Sequence, residues 1–308
     1  MKVWVLHLAV LAAMGVMLVT LPPYHATNLA RIMVLAVFAI GYNLAFGYTG
    51  LLSLGHALFF AAGVYGAALP VTYLGVTQLP ALILGLLAGG VMAAAVGMLA
   101  LRTAGVSFMI VTLMFAQAGY LTLLYFGAVT GGDEGLVMPE ASTLLAGVEA
   151  STARATIAFA LFAVALVASL VIVQSRLGRV MVAMRENEER SRMLGYNPFA
   201  VKLAALVISG LFAGLSGAAY AMLFGYAGAS FATIQYSILP MLWVLMGGAG
   251  TVLGPVIGTA AMFYLVDVAG SYTTATLLFV GVALVLLILF APKGVLGTIR
   301  ERGLKWLP

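Results

Sequence analysis

Long apolar runs separated by short polar segments make up most of the chain. A helix that crosses a bilayer needs about 20 mostly apolar residues. Runs of this kind predict about ten spans, at residues 3–21, 29–46, 56–74, 80–101, 105–127, 155–174, 203–225, 237–249, 252–268 and 272–291. The pattern therefore predicts an all-α fold, a polytopic membrane helix bundle that forms a single transmembrane domain over residues 1–308.

The first apolar run follows Lys2, as the core of a signal peptide follows a basic residue. The run is longer than the ~7–15 apolar residues of a signal core. It ends at Pro22-Pro23 without a clear small-residue cleavage site. We expect it to remain in the protein as a membrane helix.

The block at 237–268 is too short for two ordinary crossings. As continuous helix it reaches about 48 Å, whereas two crossings of the hydrocarbon core need about 60 Å. We expect short or broken helices there, arranged either as a tight hairpin or as a re-entrant pair.

The composition agrees with a membrane location and excludes other classes of protein. Hydrophobic residues make up 64% of the chain and charged residues 7%, whereas a soluble domain carries about 25% charged residues. So little polar surface cannot cover a water-exposed body of this size, and the high hydrophobicity is incompatible with disorder. The chain has no cysteine, which also excludes disulfides, thiolate metal sites and a cysteine nucleophile.

The few charges predict the orientation, because Lys and Arg collect on the cytoplasmic side of a membrane. Residues 175–202, here called the polar island, contain Arg176, Arg179, Arg185, Glu186, Glu188, Glu189, Arg190, Arg192 and Lys202. The tail at 292–308 adds Lys293, Arg300, Arg302 and Lys305, whereas the loop at 128–153 contains acidic charges only. We expect the island, the basic tail and both termini to be cytoplasmic, and the acidic loop to be external.

The polar island has the pattern of a short helix between two turns. Residues 180–194 can form a helix with a moderately apolar stripe on one face. Two ion pairs at i,i+4 spacing support it, Glu186 with Arg190 and Glu188 with Arg192. Gly195 is a natural stop, and Asn197 followed by Pro198 is a typical helix start. The pattern favours a docking element; the alternative is a solvated loop whose charges only set the topology.

Two glycine-rich segments between apolar runs resemble each other. Residues 47–56 (the first glycine segment) and 247–255 (the second glycine segment) both contain Gly-x-x-Gly followed shortly by Leu-Gly. Matched interrupted helices in the two halves of a transporter indicate an inverted repeat whose interruptions line the translocation pathway. Chance similarity between glycine-rich sequences is the alternative.

These segments supply the candidates for contact with a transported substrate. Non-helical backbone at membrane depth persists only where it is buried in protein or lines a wet cavity. The candidates are Asn43, Tyr48, Thr49, Ser53, His56, Gly247 and Gly250. His56 can remain neutral at this depth, and it is either a structural hydrogen-bonding residue or a substrate contact.

The span that follows the polar island carries small residues at a spacing of four. They form two rows, Gly210, Gly214 and Ala218, and Ser209, Ala213, Gly217 and Ala221. Such rows permit close helix packing, either within the chain or against a second membrane subunit.

Three motifs occur in order between about residue 30 and residue 295. The first covers residues 43–57 and reads Asn-Leu-x2-Gly-Tyr-Thr-Gly-Leu-Leu-Ser-Leu-Gly-His-Ala. The second comprises Gly178-Arg179-x5-Arg185-Glu186-Asn187-Glu188, then Leu194-Gly195-Tyr196-Asn197, Lys202-Leu203-Ala204 and residues 209–218. The third covers residues 245–255 and reads Leu-Met-Gly-Gly-Ala-Gly-Thr-Val-Leu-Gly-Pro. With these motifs the chain resembles the branched-chain amino-acid ABC transporter permeases of the LivM/LivH type, and their order and spacing favour the LivM-like branch.

The resemblance implies a transport role in a bacterial inner membrane. It implies a second, LivH-like permease, two cytoplasmic ATPase subunits that bind ATP and Mg, and an external binding protein that delivers leucine, isoleucine or valine. It makes the polar island a coupling helix that docks on an ATPase, with Arg185, Glu186, Asn187 and Glu188 as the contact positions. The chain itself contains no Gly-x4-Gly-Lys-Ser/Thr phosphate loop, so we expect no ATPase activity and no cofactor in this subunit.

Three alternatives to this function remain at the sequence level. A urea or short-chain amide permease uses nearly the same motifs. An ion-coupled secondary transporter would use intramembrane acidic or histidine relays, and His56 is the single candidate for one. A membrane enzyme is disfavoured because the spans contain no paired carboxylates, no metal-ligand spacing and no nucleophile–base arrangement.

Overall fold

The computed structural model describes residues 2–138, 150–272 and 293–302, together with positions 278, 281, 282, 285, 289 and 291. The helices of the first part are α1 (Lys2–Thr20), α2 (Pro23–Asn43), α3 (His56–Leu74), α4 (Gln78–Ala100), α5 (Val106–Tyr125) and α6 (Gly127–Thr130). The second part contains α7 (Ala150–Gln174), α8 (Arg176–Glu186), α9 (Glu188–Met193), α10 (Pro198–Phe224), α11 (Gln235–Gly247), α12 (Gly254–Tyr272) and α13 (Gly294–Arg302). A two-residue strand β1 (Leu136–Val137) pairs antiparallel with β2 (Tyr226–Ala227).

The predicted all-α membrane bundle is confirmed. Among the described residues, seven helices are long and apolar enough to cross a membrane, and Gly254–Asp267 forms a further, shorter apolar helix. The predicted span at 272–291 lies largely outside the described residues, as do Glu140 and Glu149 of the acidic loop and Lys305 of the tail.

Helix α2 lies at the centre of the bundle. It packs against α7, α10, α11 and α12, and nearly all of its side chains from Asn28 to Asn43 are buried. Because its apolar residues point in all directions rather than to one face, the helix is stable only when surrounded. A π-helical turn (Leu44–Tyr48) extends α2 into the first glycine segment.

The small-residue rows on α10 pack within the chain. A Cβ atom added at Gly63 of α3 would lie 2.1 Å from the carbonyl oxygen of Gly214, and one added at Gly89 of α4 would lie 2.5 Å from the carbonyl oxygen of Gly210. All seven members of the two rows are buried. The prediction of close packing inside the subunit is therefore confirmed, since α3, α4 and α10 approach backbone to backbone.

The loops collect at two ends of the bundle. At one end the polar island meets the two glycine segments and α13; we call this the island end. At the other end, Tyr73 and Tyr226 bond to the backbone of the acidic loop, and the Met138 amide donates to the Gly225 carbonyl; we call this the acidic-loop end. Both glycine segments lie at the island end, and α2 and α11 run towards it in the same direction. The two segments are therefore arranged in parallel, not as the inverted pair that the sequence suggested.

Helices α3 and α11 begin inside the bundle. The His56 ring nitrogen Nε2 lies 2.8 Å from the Ser209 hydroxyl, about 16 Å along α10 from its start. The Ala57 amide donates to the Ser237 hydroxyl at 2.9 Å, so α11 begins at the same depth. Residues 225–234 reach this depth mainly as non-helical chain. The expected shortness of the 237–268 block is confirmed, because α11 covers only about 20 Å and is a half-helix.

Candidate functional site: the junction of the glycine segments with the polar island

The two glycine segments are bonded to each other by one buried side chain. Asn43 accepts a hydrogen bond from the Gly250 amide through Oδ1 and donates one to the Thr251 carbonyl through Nδ2, both at 2.9 Å. Gly47 can lie against this contact because it has no Cβ atom; an added one would lie 2.6 Å from the Gly250 nitrogen. Gly250 has φ +76°, a left-handed conformation that favours glycine.

Arginines from two other elements complete the junction. Arg185, on α8 of the polar island, donates from its guanidinium to the Gly47 carbonyl. Arg300, on α13, donates to the Gly250 carbonyl at 3.4 Å. A charged donor is well placed here, because carbonyl groups at the ends of helices lack partners within the helix. Side chains from the island and the tail therefore bond directly to the backbone of both glycine segments.

The other pathway candidates are buried near this junction. The Thr49 hydroxyl donates to the Leu44 carbonyl at 2.9 Å, and the Ser53 carbonyl accepts from the Tyr42 hydroxyl at 3.1 Å. Tyr48 is buried, and its hydroxyl has no hydrogen-bond partner among the described residues. His56 is fully buried between the rings of Tyr42 and Phe59.

The two ends of the second glycine segment lie in direct backbone contact. A Cβ atom at Gly247 would lie 1.7 Å from the carbonyl oxygen of Gly254, so the end of α11 and the start of α12 touch through backbone. The sequence correctly singled out Gly247 and Gly250 as special backbone positions. Contact of any pathway candidate with a substrate stays a prediction.

The predicted single helix at 180–194 is wrong. The island contains two helices, α8 and α9, which are separated at Asn187 by an extended residue with φ −159° and ψ 102°. The Asn187 side chain accepts from the Arg190 amide at 2.8 Å and caps α9. An asparagine can satisfy the first amides of a new helix better than it can continue an old one, which explains the break.

The break changes the charge pairs of the island. Glu188 pairs with Arg192 at 3.8 Å, as predicted, and also with Lys202 of α10 at 2.6 Å. The predicted pair between Glu186 and Arg190 does not form, because its members lie on different helices. Gly195 with φ +89° ends α9, and Asn197 caps α10 as expected.

Arg185, Glu186 and Asn187 are exposed, and Glu188 is half-buried. These four positions border a cavity of about 500 Å³ at the island end. Its other walls come from Thr49 in the loop after the π-helical turn and from positions between 101 and 109, which run from the end of α4 into the first turn of α5. The surface of the island is therefore accessible from the side on which a cytoplasmic partner is expected.

Two functional candidates were missed in the sequence. Arg300 was treated only as a topology signal, although it bonds to Gly250. Arg31 was not singled out, although it lies within α2 with its guanidinium carbon 4.5 Å from the centre of the Phe224 ring. A single basic residue inside a run of apolar residues was the available signal.

These features define the class: a multi-pass, all-α membrane protein in which glycine-interrupted helices are joined to a charged surface element, as in a transport permease. The family described as branched-chain amino acid transport system / permease component matches residues 25–291. The chain belongs to this family.

Two relatives have related names. The high-affinity branched-chain amino acid transport system permease protein LivM of Salmonella typhimurium (strain LT2) is 30% identical over 300 residues, which cover 88% of this chain and 69% of the relative. The LivM protein of Escherichia coli (strain K12) is 30% identical over 302 residues with the same coverage. No solved structure matches the chain.

Proposed function

We propose that the chain is the membrane-spanning permease subunit of an ATP-binding-cassette importer that moves leucine, isoleucine and valine into the cytoplasm. Membership of the family and the names of the two LivM relatives support this substrate class. In this proposal the protein lies in a bacterial inner membrane, with the polar island and both termini in the cytoplasm and the acidic loop outside.

One contact carries the mechanism. The guanidinium of Arg185 belongs to an exposed surface helix and bonds to the Gly47 carbonyl in the interior of the junction. A force applied to α8 is therefore transmitted to the first glycine segment, and through Asn43 to the second. We infer that an ATPase docks on Arg185, Glu186, Asn187 and Glu188 and moves the junction through this connection.

The importer needs partners that this chain does not supply. A second, LivH-like permease would complete the pathway, two cytoplasmic ATPase subunits would bind ATP and Mg, and an external binding protein would deliver the amino acid. ATP binding would favour one arrangement of the ATPase pair over the other, and this difference in affinity supplies the bias for alternating access. In this structure the pathway candidates are packed against protein, so substrate contact at these positions requires the junction to open.

The test uses a charge reversal on the exposed surface. Glu186→Arg leaves the Arg185 contact in place, whereas Glu189→Arg, on α9, is the matched control outside the proposed contact positions. In proteoliposomes with all partners we expect Glu186→Arg to lower leucine uptake at least about tenfold, the effect of about 1.4 kcal/mol. We expect the control to transport normally, and both variants should keep the melting temperature of the wild-type complex. Normal uptake by the double variant Arg185→Glu, Glu186→Arg would overturn the docking assignment.

The alternatives give different results in the same system. A urea or short-chain amide permease would take up labelled urea or acetamide and would not respond to leucine-loaded binding protein. An ion-coupled transporter would work without ATP and would stop when an uncoupler is added. Uptake that needs ATP and survives the uncoupler supports the proposal.

A further inference from the structure

Arg31 lies inside the membrane-spanning part of α2, and no described residue of opposite charge pairs with it. It is eight residues from the start of α2, which is about 12 Å along the helix. Its Nε atom is buried and makes no hydrogen bond, and within the described residues Arg31 forms no ion pair. A charged side chain at this depth has a high free-energy cost, and in membrane proteins such residues usually line a transport pathway or bind a ligand.

Aromatic rings from two helices surround the guanidinium. Its carbon atom lies 4.5 Å from the ring centre of Phe224 on α10 and 5.8 Å from that of Phe263 on α12. The Tyr220 ring packs against that of Phe224, with ring centres 4.5 Å apart, and Tyr220 and Tyr236 both pack against Phe231. Cation–π contacts stabilise the charge through the faces of the group. They leave N–H donors at its edge, and a guanidinium has five such donors and no acceptor.

The rings continue to the start of the half-helix α11 inside the bundle. Tyr236 lies in the first turn of the half-helix α11 and stacks on Phe60 of α3, with ring centres 5.5 Å apart. Helix N-termini carry partial positive charge, and in transporters the N-termini of broken helices point towards anionic groups of the substrate. Positive charge from Arg31 and from the start of α11 therefore borders one continuous aromatic surface.

We propose that Arg31 binds the carboxylate of the transported amino acid, while the rings of Tyr220, Phe224, Tyr236 and Phe263 contact its aliphatic side chain. The inference rests on the proposed function and assigns the side from which substrate arrives. A carboxylate accepts two parallel hydrogen bonds from a guanidinium, which the unused donors of Arg31 can supply. Aliphatic side chains bury well against aromatic rings.

The test removes the charge and keeps the volume. Arg31→Met should lower leucine uptake about ten- to hundredfold at saturating loaded binding protein, as expected for the loss of a hydrogen bond to a charged group. Arg31→Lys keeps the charge but loses the two-pronged geometry, so we expect an intermediate rate. Arg154→Gln is the matched control, because Arg154 is a basic residue of α7 that lines a small cavity with Gln78 and Leu223, and none of the four rings lines that cavity.

Assembly and stability separate binding from a structural role. The melting temperature and the yield of complex with the second permease should be unchanged in the Arg31 variants if Arg31 acts on the substrate. Loss of assembly in both variants would overturn the inference, because Arg31 would then be a structural cation or the ion-pair partner of a carboxylate on another subunit. Unchanged uptake by Arg31→Met would also overturn it. If Arg31→Met does not assemble, unchanged uptake by Arg31→Lys overturns it equally. Failure of the wild-type complex to transport the three amino acids overturns the proposed function itself and is recognised without any variant.

Discussion

The Gly250 amide and the Asn43 side chain are joined by a 2.9 Å hydrogen bond across 207 positions of sequence. The same amide group of Asn43 also holds the Thr251 carbonyl. One residue thus satisfies both a donor and an acceptor of a non-helical turn inside a membrane protein, where water cannot replace a lost partner. The glycine segments behave as one unit because of this contact.

Replacement of Asn43 by alanine should loosen this unit. The change leaves the Gly250 amide and the Thr251 carbonyl without partners, and each buried unsatisfied group costs about 1–3 kcal/mol. Asn28→Ala is the control on the same helix, because Asn28 is buried and its Nδ2 makes no hydrogen bond to any described residue. Thermal unfolding in detergent should show a large loss for Asn43→Ala and a small change for Asn28→Ala. Equal melting temperatures of the two variants would show that the hydrogen bonds of Asn43 to Gly250 and Thr251 do not stabilise the fold.

Gly63→Ala should separate two helices. The new Cβ atom would lie 2.1 Å from the Gly214 carbonyl oxygen and 2.5 Å from its Cα atom, so backbone must move. Overpacking of this kind costs about 1–3 kcal/mol and sometimes more. Gly281→Ala serves as the control, since no atom of the described residues lies within 4 Å of its position. The yield of folded monomer on gel filtration should fall for the first variant only; equal yields would contradict the close crossing of α3 and α10.

Ser53→Cys tests whether the junction opens during transport. Ser53 is fully buried, and the chain has no other cysteine, so labelling by a membrane-impermeant thiol reagent reports this position alone. We expect no labelling at rest and labelling during ATP-driven turnover with all partners. Leu194→Cys, at an exposed position of the island, should be labelled in both conditions. A Ser53→Cys variant that stays unlabelled during active uptake would argue against a place on the pathway.

The ion pair between Glu188 and Lys202 should contribute little stability. The atoms are 2.6 Å apart, with 19% of the Lys202 side chain and 39% of the Glu188 side chain exposed, and partly exposed pairs contribute at most about 1 kcal/mol. A double-mutant cycle with Glu188→Gln and Lys202→Met should give a coupling of this size that shrinks in high salt. The more exposed pair of Glu188 with Arg192, at 3.8 Å, should give a smaller value. A coupling free energy between Glu188 and Lys202 well above about 1 kcal/mol would show that the polar island is held more rigidly than the exposure of this pair suggests.

Much of the fold could be predicted because a bilayer restricts the secondary structure that a membrane-spanning segment can adopt. Apolar runs of sufficient length must be helices, and the helices found near residues 3–21, 56–74 and 203–225 follow from this rule alone. The stops and caps at Gly195 and Asn197 were also readable, since their chemistry is local. The break at Asn187 was missed, because an asparagine at the centre of a charged run fits both a continuous helix and a cap.

The candidate site was only partly readable for a different reason. The glycine segments stood out by composition, yet the bonds from Asn43 to Gly250, from Arg185 to Gly47 and from Arg300 to Gly250 join residues 50 to 207 positions apart. No local pattern specifies which helix ends will meet. Arg31 shows the same limit, since its aromatic neighbours come from α10 and α12.

The sequence by itself determined that this is a helical membrane protein, where its charged element lies and to which transport family it belongs. Length, hydropathy and short motifs settle these properties, because each depends on residues that are close together in the chain. The tertiary structure decided that the two glycine segments form one junction and that the polar island bonds to it through Arg185. It also decided that Arg31 faces a ring cluster, with no counter-charge among the residues that the structure describes. These properties depend on how helices cross, and the crossings are set by backbone contacts at small residues such as Gly63 and Gly214.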